Sequence, residues 1–184
     1  MDRSKPQEKL EDVEAKLTSR DPQVIDVCLS FVKDLLSSEQ DRNQAVSSKA
    51  TNILGFAGII ATLSIPLIDL ISSIRTMNFC LSLVLGGIYL MMLVAILWTI
   101  WLAFGGRTRE KIMVPNIDDI FVFQSLQDID AKRKWLADLI SAYKSNVDDV
   151  NRRVTNVYTA QERLAVAIFL LLMLVGASIF AKLF

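Results

Sequence analysis

Two groups of residues in this 184-residue chain have types and spacings that could act on ions. The first is Arg42, Lys49, Asn52, Gly55, Ile59, Thr62, Pro66 and Asp69. Their steps are threes and fours, with one step of seven after Arg42 that Ala45 fills, so they share one helix face. That face is polar or small on a rod whose other faces are Ile, Leu and Phe. Polar groups in hydrocarbon are costly unless they meet protein or water. Two readings are open: close packing of helices through small residues, or Asn52, Gly55, Ile59, Thr62, Pro66 and Asp69 lining an aqueous pore. A ring of Asp69 at a pore mouth would favour cations.

The second group is basic: Lys132-Arg133-Lys134, with Trp135 beside it, and Arg152-Arg153. Asp128, Asp130, Asp138, Asp148 and Asp149 lie nearby, so a solvated helix face explains it. The other reading is an anion site. Arg42, Lys49, Lys132, Arg133, Lys134, Arg152 and Arg153, converging from several subunits, would hold phosphates while Trp135 stacks on a base.

Enzymatic chemistry is not expected. There is no His, hence neither the commonest general base nor the commonest metal ligand. No Gly-rich phosphate loop, HExxH pair or nucleophile elbow occurs. Asp118-Asp119 and Asp148-Asp149 are adjacent in sequence and so point to different sides of a helix. Cys28 and Cys80 are far apart, without metal-ligand spacing, and no disulfide between them is expected. No cofactor and no metal are implied.

The elements that carry these residues follow from segregation of charge. Hydrophobic residues make up 52% of the chain and charged ones 22%, with 20 basic and 20 acidic residues cancelling. Mean hydropathy is +0.39. Three uncharged runs account for this: Thr51–Ile68, Thr76–Gly106 and Leu164–Ala181. Runs of about 18 apolar residues or more are candidate transmembrane helices. A soluble globular enzyme, a nucleic-acid module spanning the whole chain and a disordered protein are thereby excluded. The start, Met1–Glu8, has no apolar core of a cleavable signal peptide.

The spacing predicts spans over about 52–74, 78–104 and 163–181. Leu10, Val13 and Leu17 suggest a short amphipathic helix within 1–20. Asp21-Pro22 fits the start of the next helix, which carries Val24, Cys28, Phe31 and Leu35 at heptad-like spacing and continues into the first span. Pro115-Asn116 marks a turn and Asp118-Asp119 a helix start. Leu136, Ile140, Tyr143, Val147, Val150, Val154, Val157, Gln161 and Leu164 alternate steps of four and three, a coiled-coil seam on a helix of about 50 residues from near Asp128. Lys and Arg concentrate at one side: Arg42, Lys49, Arg107, Arg109, Lys111, Arg152, Arg153 and Arg163, against Arg75 and Lys182. The N-terminus is therefore expected in the cytoplasm.

The expected fold class is all-α: an integral membrane helical bundle, three transmembrane helices per subunit, with long cytoplasmic coiled-coil-like helices, oligomeric. It divides into 1–50, cytoplasmic N-terminal helices; 51–106, the first and second transmembrane helices as a hairpin; 107–162, a cytoplasmic helical region; and 163–184, the third transmembrane helix. A self-association into a tetramer or larger supplies partners for the cytoplasmic seams.

The stretch Arg42-Asn43-Gln44-Ala45-Val46-Ser47-Ser48-Lys49-Ala50-Thr51-Asn52-Ile53-Leu54-Gly55-Phe56-Ala57-Gly58-Ile59-Ile60 resembles a junction of small bacterial and archaeal membrane proteins, where a polar helix with an Arg and a Lys-Ala pair feeds a Gly-Phe-x-Gly span. The layout resembles the transmembrane effectors of nucleotide-signalled anti-phage systems, the SLATT-type effectors. It is also similar in plan to the membrane effector of Hailong defence, where a partner nucleotidyltransferase makes a nucleic-acid ligand that holds the pore shut. The resemblance implies an oligomeric pore of the bacterial inner membrane that depolarises the cell, gated from the cytoplasm by a nucleotide or single-stranded oligonucleotide. The alternative from the residues alone is a membrane-anchored coiled-coil scaffold without a pore. A secondary transporter fits less well, because three spans leave no room for an inverted repeat.

Overall fold

The computed structural model describes Val13, residues 17–19, 21–75, 79–107 and 128–183. The expected turn at Pro115-Asn116, the helix start at Asp118-Asp119 and most of the amphipathic segment before residue 20 lie outside the described residues. Three long α-helices make up nearly all of the rest: α1, Pro22–Arg75; α2, Phe79–Arg107; and α3, Asp128–Leu183. Among the described residues there is no strand.

α1 begins where sequence chemistry puts it. The Asp21 carboxylate accepts the Gln23 backbone N–H at 2.9 Å, and the Asp21 carbonyl accepts the first helical bond from Ile25 at 3.1 Å. Asp21 is thus the N-cap and Pro22 the first helical residue, where its missing N–H costs nothing. Ahead of this cap, Leu17 N donates to the Val13 carbonyl at 3.2 Å.

The chain forms two compact units. The first comprises Met1–Ala45 and Arg109–Arg152. Its apolar centre is Val32, Leu136 and Leu139, with Leu17, Cys28, Leu29, Leu36, Trp135 and Ile140 packed against them. The buried face of α1 here overlaps the expected one only in part: Cys28 and Leu35 are half-buried. Val24 and Phe31 are exposed, Phe31 at 62%, whereas Ile25, Val32 and Glu39 are buried and Leu29 and Leu36 half-buried. The seam is shifted by one position and passes through an acidic residue, which disguises it in the sequence. Glu39 is tolerated because the Arg42 guanidinium lies 3.5 Å from its carboxylate, and Arg42 also donates to Asn151 Oδ1 at 2.7 Å.

The second unit, Val46–Thr108 with Arg153–Phe184, contains the three apolar spans. α1 buries Val46, Ala50, Ile53, Ala57, Ile60, Ser64 and Leu67, again in alternating steps of four and three. α2 buries Ser82, Leu85, Met92, Ile96, Thr99, Ala103 and Gly106. α3 buries Arg153, Val157, Ala160, Leu164, Ala167, Leu174 and Ser178. The α3 seam expected from sequence is therefore half right. Leu136, Val150, Val157 and Leu164 are buried, but Ile140, Tyr143, Val147 and Val154 are half-buried and Gln161 is exposed. Arg153 and Ala160 take the inner positions instead.

Small residues explain the shift. Ala50, Ala57, Ala103, Ala160 and Ala167 are each 0% exposed. Such residues let helix backbones approach closely in a membrane bundle. The closest approach is at Gly106. A Cβ added there would stand 2.5 Å from Val157 Cγ2 and 3.5 Å from Ala50 Cβ. At the other end the Ser82 hydroxyl reaches the Ile71 carbonyl at 3.5 Å. α2 therefore runs antiparallel to the other two helices. The buried hydroxyls of Ser64 and Thr99 donate to the carbonyls of Ala61 and Ala95 on their own helices, at 2.7 and 2.8 Å.

By length and composition each of the three helices can cross a membrane; their best 18-residue windows have mean hydropathies of 1.8, 2.5 and 2.8. Only 28%, 22% and 22% of those windows is buried within the chain. The remainder is apolar surface far beyond what a water-soluble monomer exposes, so the surroundings are apolar. This is the architecture of a multi-pass membrane protein.

Candidate functional site: the outward face of the first helix

Lys49 and Asp69 bracket the uncharged part of α1. Twenty residues at 1.5 Å each separate them by about 30 Å, the thickness of a hydrocarbon core. Between them, the predicted stripe residues Asn52, Gly55, Ile59, Thr62, Pro66 and Asp69 are all exposed, on the side of α1 opposite its buried seam. None is sealed inside the protomer.

Thr51 and Gly58 join this side. At 100° per residue, Thr51, Gly55, Gly58, Thr62, Pro66 and Asp69 fall within an arc of about 80°. Ile59 and Asn52 border the arc, and beyond them lie the exposed side chains of Leu63 and Phe56. A Cβ built on Gly55 or Gly58 meets nothing within 4 Å. The space outside these glycines is open. Thr51 and Gly58 were legible in the 4-3-4 spacing Thr51-Gly55-Gly58-Thr62, the small-residue pattern of membrane helix contacts.

The polar groups on this side divide into two kinds. The hydroxyls of Thr51 and Thr62 donate to the carbonyls of Ser47 and Gly58, at 3.0 and 2.6 Å, and so are satisfied on their own helix. Among the described residues, nothing pairs with the Asn52 amide or the Asp69 carboxylate.

The outward faces of α2 and α3 differ in kind. α2 presents Phe79, Leu83, Leu90, Leu97 and Trp101, the last 79% exposed. α3 presents Phe169, Leu172, Met173, Ile179 and Phe180 between Leu164 and Ala181. The small residues among them, Cys80, Gly87, Ala165 and Gly176, carry no oxygen or nitrogen on their side chains. The outward faces of α2 and α3 are apolar throughout, whereas α1 carries a small and polar arc between exposed Phe56, Ile59 and Leu63 on one flank and Ile65 and Ile68 on the other.

The basic residues do not gather into one site within a protomer. Arg42 is held by Glu39 and Asn151. Lys132 bridges to Asp26 at 2.9 Å and Asp128 at 3.9 Å. Its hydrogen bond to Asp26 raises its pKa above the ordinary 10.5. Arg133 donates to the Leu17 carbonyl. Trp135 is half-buried against the first unit's apolar centre, Lys134 is half-buried, and Lys49 and Arg152 are exposed.

Arg153 has a different role from the expected one. It is only 4% exposed, and its Nε and Nη2 donate to the Gly106 carbonyl at 3.0 and 2.8 Å. A cation on the final carbonyls of α2 complements the helix dipole and satisfies an acceptor that the helix cannot. Sequence offered no direct signal for this, since Arg153 sits beside Arg152 in a run that reads as surface. Among the described residues, no group of three or more His, Cys, Asp or Glu could hold a metal ion, and Cys28 and Cys80 are free thiols.

Compared with protein-family models, curated proteins and solved structures, the chain matches none of them. The functional reading accordingly stands on its own residues.

Proposed function

We propose that this protein is the subunit of a homo-oligomeric, ion-conducting pore in which the outward side of α1 from each copy faces a common aqueous path. The observation that carries this reading is the contrast among the three outward faces. The outward side of α1 carries a small, polar arc and, among the described residues, leaves an amide and a carboxylate unmet, while α2 and α3 present bulky apolar side chains fit for lipid. Water inside a ring of α1 helices meets the needs of Asn52 and Asp69. Gly55 and Gly58 keep that path open.

In this reading Asp69 rings one mouth and favours cations. The charged unit lies in the cytoplasm, as the positive-inside rule places it. Val24, Val27 and Phe31, exposed on α1, supply contacts between copies there. An anionic ligand of nucleotide or oligonucleotide type gates the pore by binding its open and closed states unequally. Opening depolarises the cell, as in the anti-phage effectors that the junction at 42–60 resembles. A scaffold without a pore draws on the same exposed Val24, Val27 and Phe31, but leaves Asn52 and Asp69 without a role.

Cysteine accessibility separates the two. In a Cys28→Ser/Cys80→Ser background, Thr62→Cys is expected to react with a charged, membrane-impermeant methanethiosulfonate, and Leu172→Cys to stay inert. Equal inertness of both positions in intact oligomers refutes the pore.

A further inference from the structure

Between α2 and α3 the second unit has an open groove of about 400 Å³. Leu90, Val94 and Ala95 line it from α2, and Val166 and Leu170 from α3. Two more lining residues differ from these: Trp98 and Arg163. Their depth follows from the Gly106–Val157 contact. Trp98 lies eight residues from Gly106 and Arg163 six from Val157, about 12 and 9 Å along antiparallel helices. They share a level. Leu90 lies a further 12 Å or so into the span. The groove is thus a slot about one bilayer leaflet long, with an arginine and an indole at the end nearest the charged residues and only apolar side chains beyond.

Arg163 is exposed, and among the described residues nothing pairs with it. Glu162, its neighbour in sequence, does not line the groove. A guanidinium at that depth needs an anion with oxygen acceptors, which a phosphate provides in two-pronged geometry. The first two spans of a second copy do not meet this need. Asp69 is the one acidic residue between Lys49 and Arg107, and it lies nineteen residues beyond Ala50, about 28 Å into the bundle. That is some 19 Å deeper than Arg163 in copies that share an orientation. Trp98 sits where indoles favour the headgroup boundary.

We propose that this groove binds one anionic phospholipid of the surrounding bilayer, with its phosphate on Arg163 and an acyl chain along the slot past Ala95 to Leu90 and Leu170. The lipid fills the recess between two lipid-facing helices. It also neutralises a charge that no described residue neutralises. This inference rests on the chain crossing a bilayer and is independent of whether α1 lines a pore.

The test is native mass spectrometry of purified oligomer exchanged into detergent with equal phosphatidylglycerol and phosphatidylcholine. One basic residue near a charged headgroup corresponds to about a fivefold preference for the anionic lipid. Wild type is expected to show that preference, and Arg163→Gln to lose it while retaining a bound lipid. Ala95→Phe, which fills the slot, is expected to reduce binding of both lipids. Val94→Trp, at an exposed position outside the buried core, is expected to do the same. Unchanged preference in Arg163→Gln overturns the headgroup assignment. Unchanged lipid content in both slot-filling variants, or a change of oligomer mass in them with lipid unaffected, overturns the site.

Discussion

Replacing Gly106 by alanine adds one methyl group where all three helices of the second unit meet. That Cβ would stand 2.5 Å from Val157 Cγ2, 3.5 Å from Ala50 Cβ and 3.7 Å from the Arg153 carbonyl. The last two are ordinary contacts and the first is a collision. Val157 is β-branched, with one strongly preferred rotamer in a helix, and is buried. It cannot swing away, so the helices must separate. Overpacking of this kind costs about 1–3 kcal/mol. Alanine regains at most about 1 kcal/mol of helix propensity, less at the end of α2. The expected net loss is about 1 kcal/mol or more. In a Val157→Ala background the colliding methyl is gone, and Gly106→Ala is then expected to be neutral or stabilising by up to about 1 kcal/mol. The sign of one substitution thus reverses with the partner, a coupling of about 1–3 kcal/mol. Gly87→Ala is the control, because a Cβ there meets nothing within 4 Å. Unfolding of wild type, the three variants and the control by a denaturing detergent in mixed micelles, followed by circular dichroism, gives the cycle. Equal effects of Gly106→Ala in both backgrounds would refute the three-helix contact.

Two further outcomes follow from the polar contacts. Arg153→Met keeps much of the side-chain volume but leaves the Gly106 carbonyl without its two donors; the expected cost is about 1–3 kcal/mol by the same titration. A loss no greater than that of Arg152→Met would contradict the capping role. Lys132 has its pKa raised by the hydrogen bond to Asp26, so the folded state holds its proton more tightly than the unfolded chain. That stabilisation is fully present below the unfolded value near 10.5 and is lost as pH rises through the higher folded value. Because the contact is solvent-exposed, the effect is small. Amide exchange over residues 22–45 is the readout, with the Lys132→Met variant as reference: the gap between the two should shrink as pH rises past 10.5 and close beyond the higher folded value, and a gap that does not shrink would remove the Asp26 pairing from the account.

Legibility in the sequence tracked how far polarity and burial agree. The three uncharged runs located the spans to within a few residues, because hydrocarbon admits little charge. The Asp21-Pro22 start and the origin of α3 at Asp128 were legible, since caps and breakers are local chemistry. The outward polar side of α1 was legible for the same reason as the spans: Asn52 and Asp69 are conspicuous among apolar residues. The buried seams were not. Of the positions 24, 28, 31 and 35, Cys28 and Leu35 edge the buried face while Val24 and Phe31 miss it, because the true seam runs one position on, through Ile25, Val32 and Glu39. In α3, Val154 outscored Arg153, although close packing at Gly106 and Ala160 favours an arginine that caps a helix over a valine that fills space. Position along a helix is written in composition, whereas rotation about its axis depends on a partner that sequence periodicity does not contain.

Conductance of purified oligomer in planar bilayers is the most direct measurement, made on wild type and on Asn52→Leu/Thr62→Leu. These positions are exposed in the protomer, so the substitutions leave its core untouched. Wild type should pass discrete cation-selective currents, and the double variant, still oligomeric, should pass little or none. Identical currents from the two, or silence from wild-type oligomers under every nucleotide and oligonucleotide ligand applied, would contradict an aqueous path along α1.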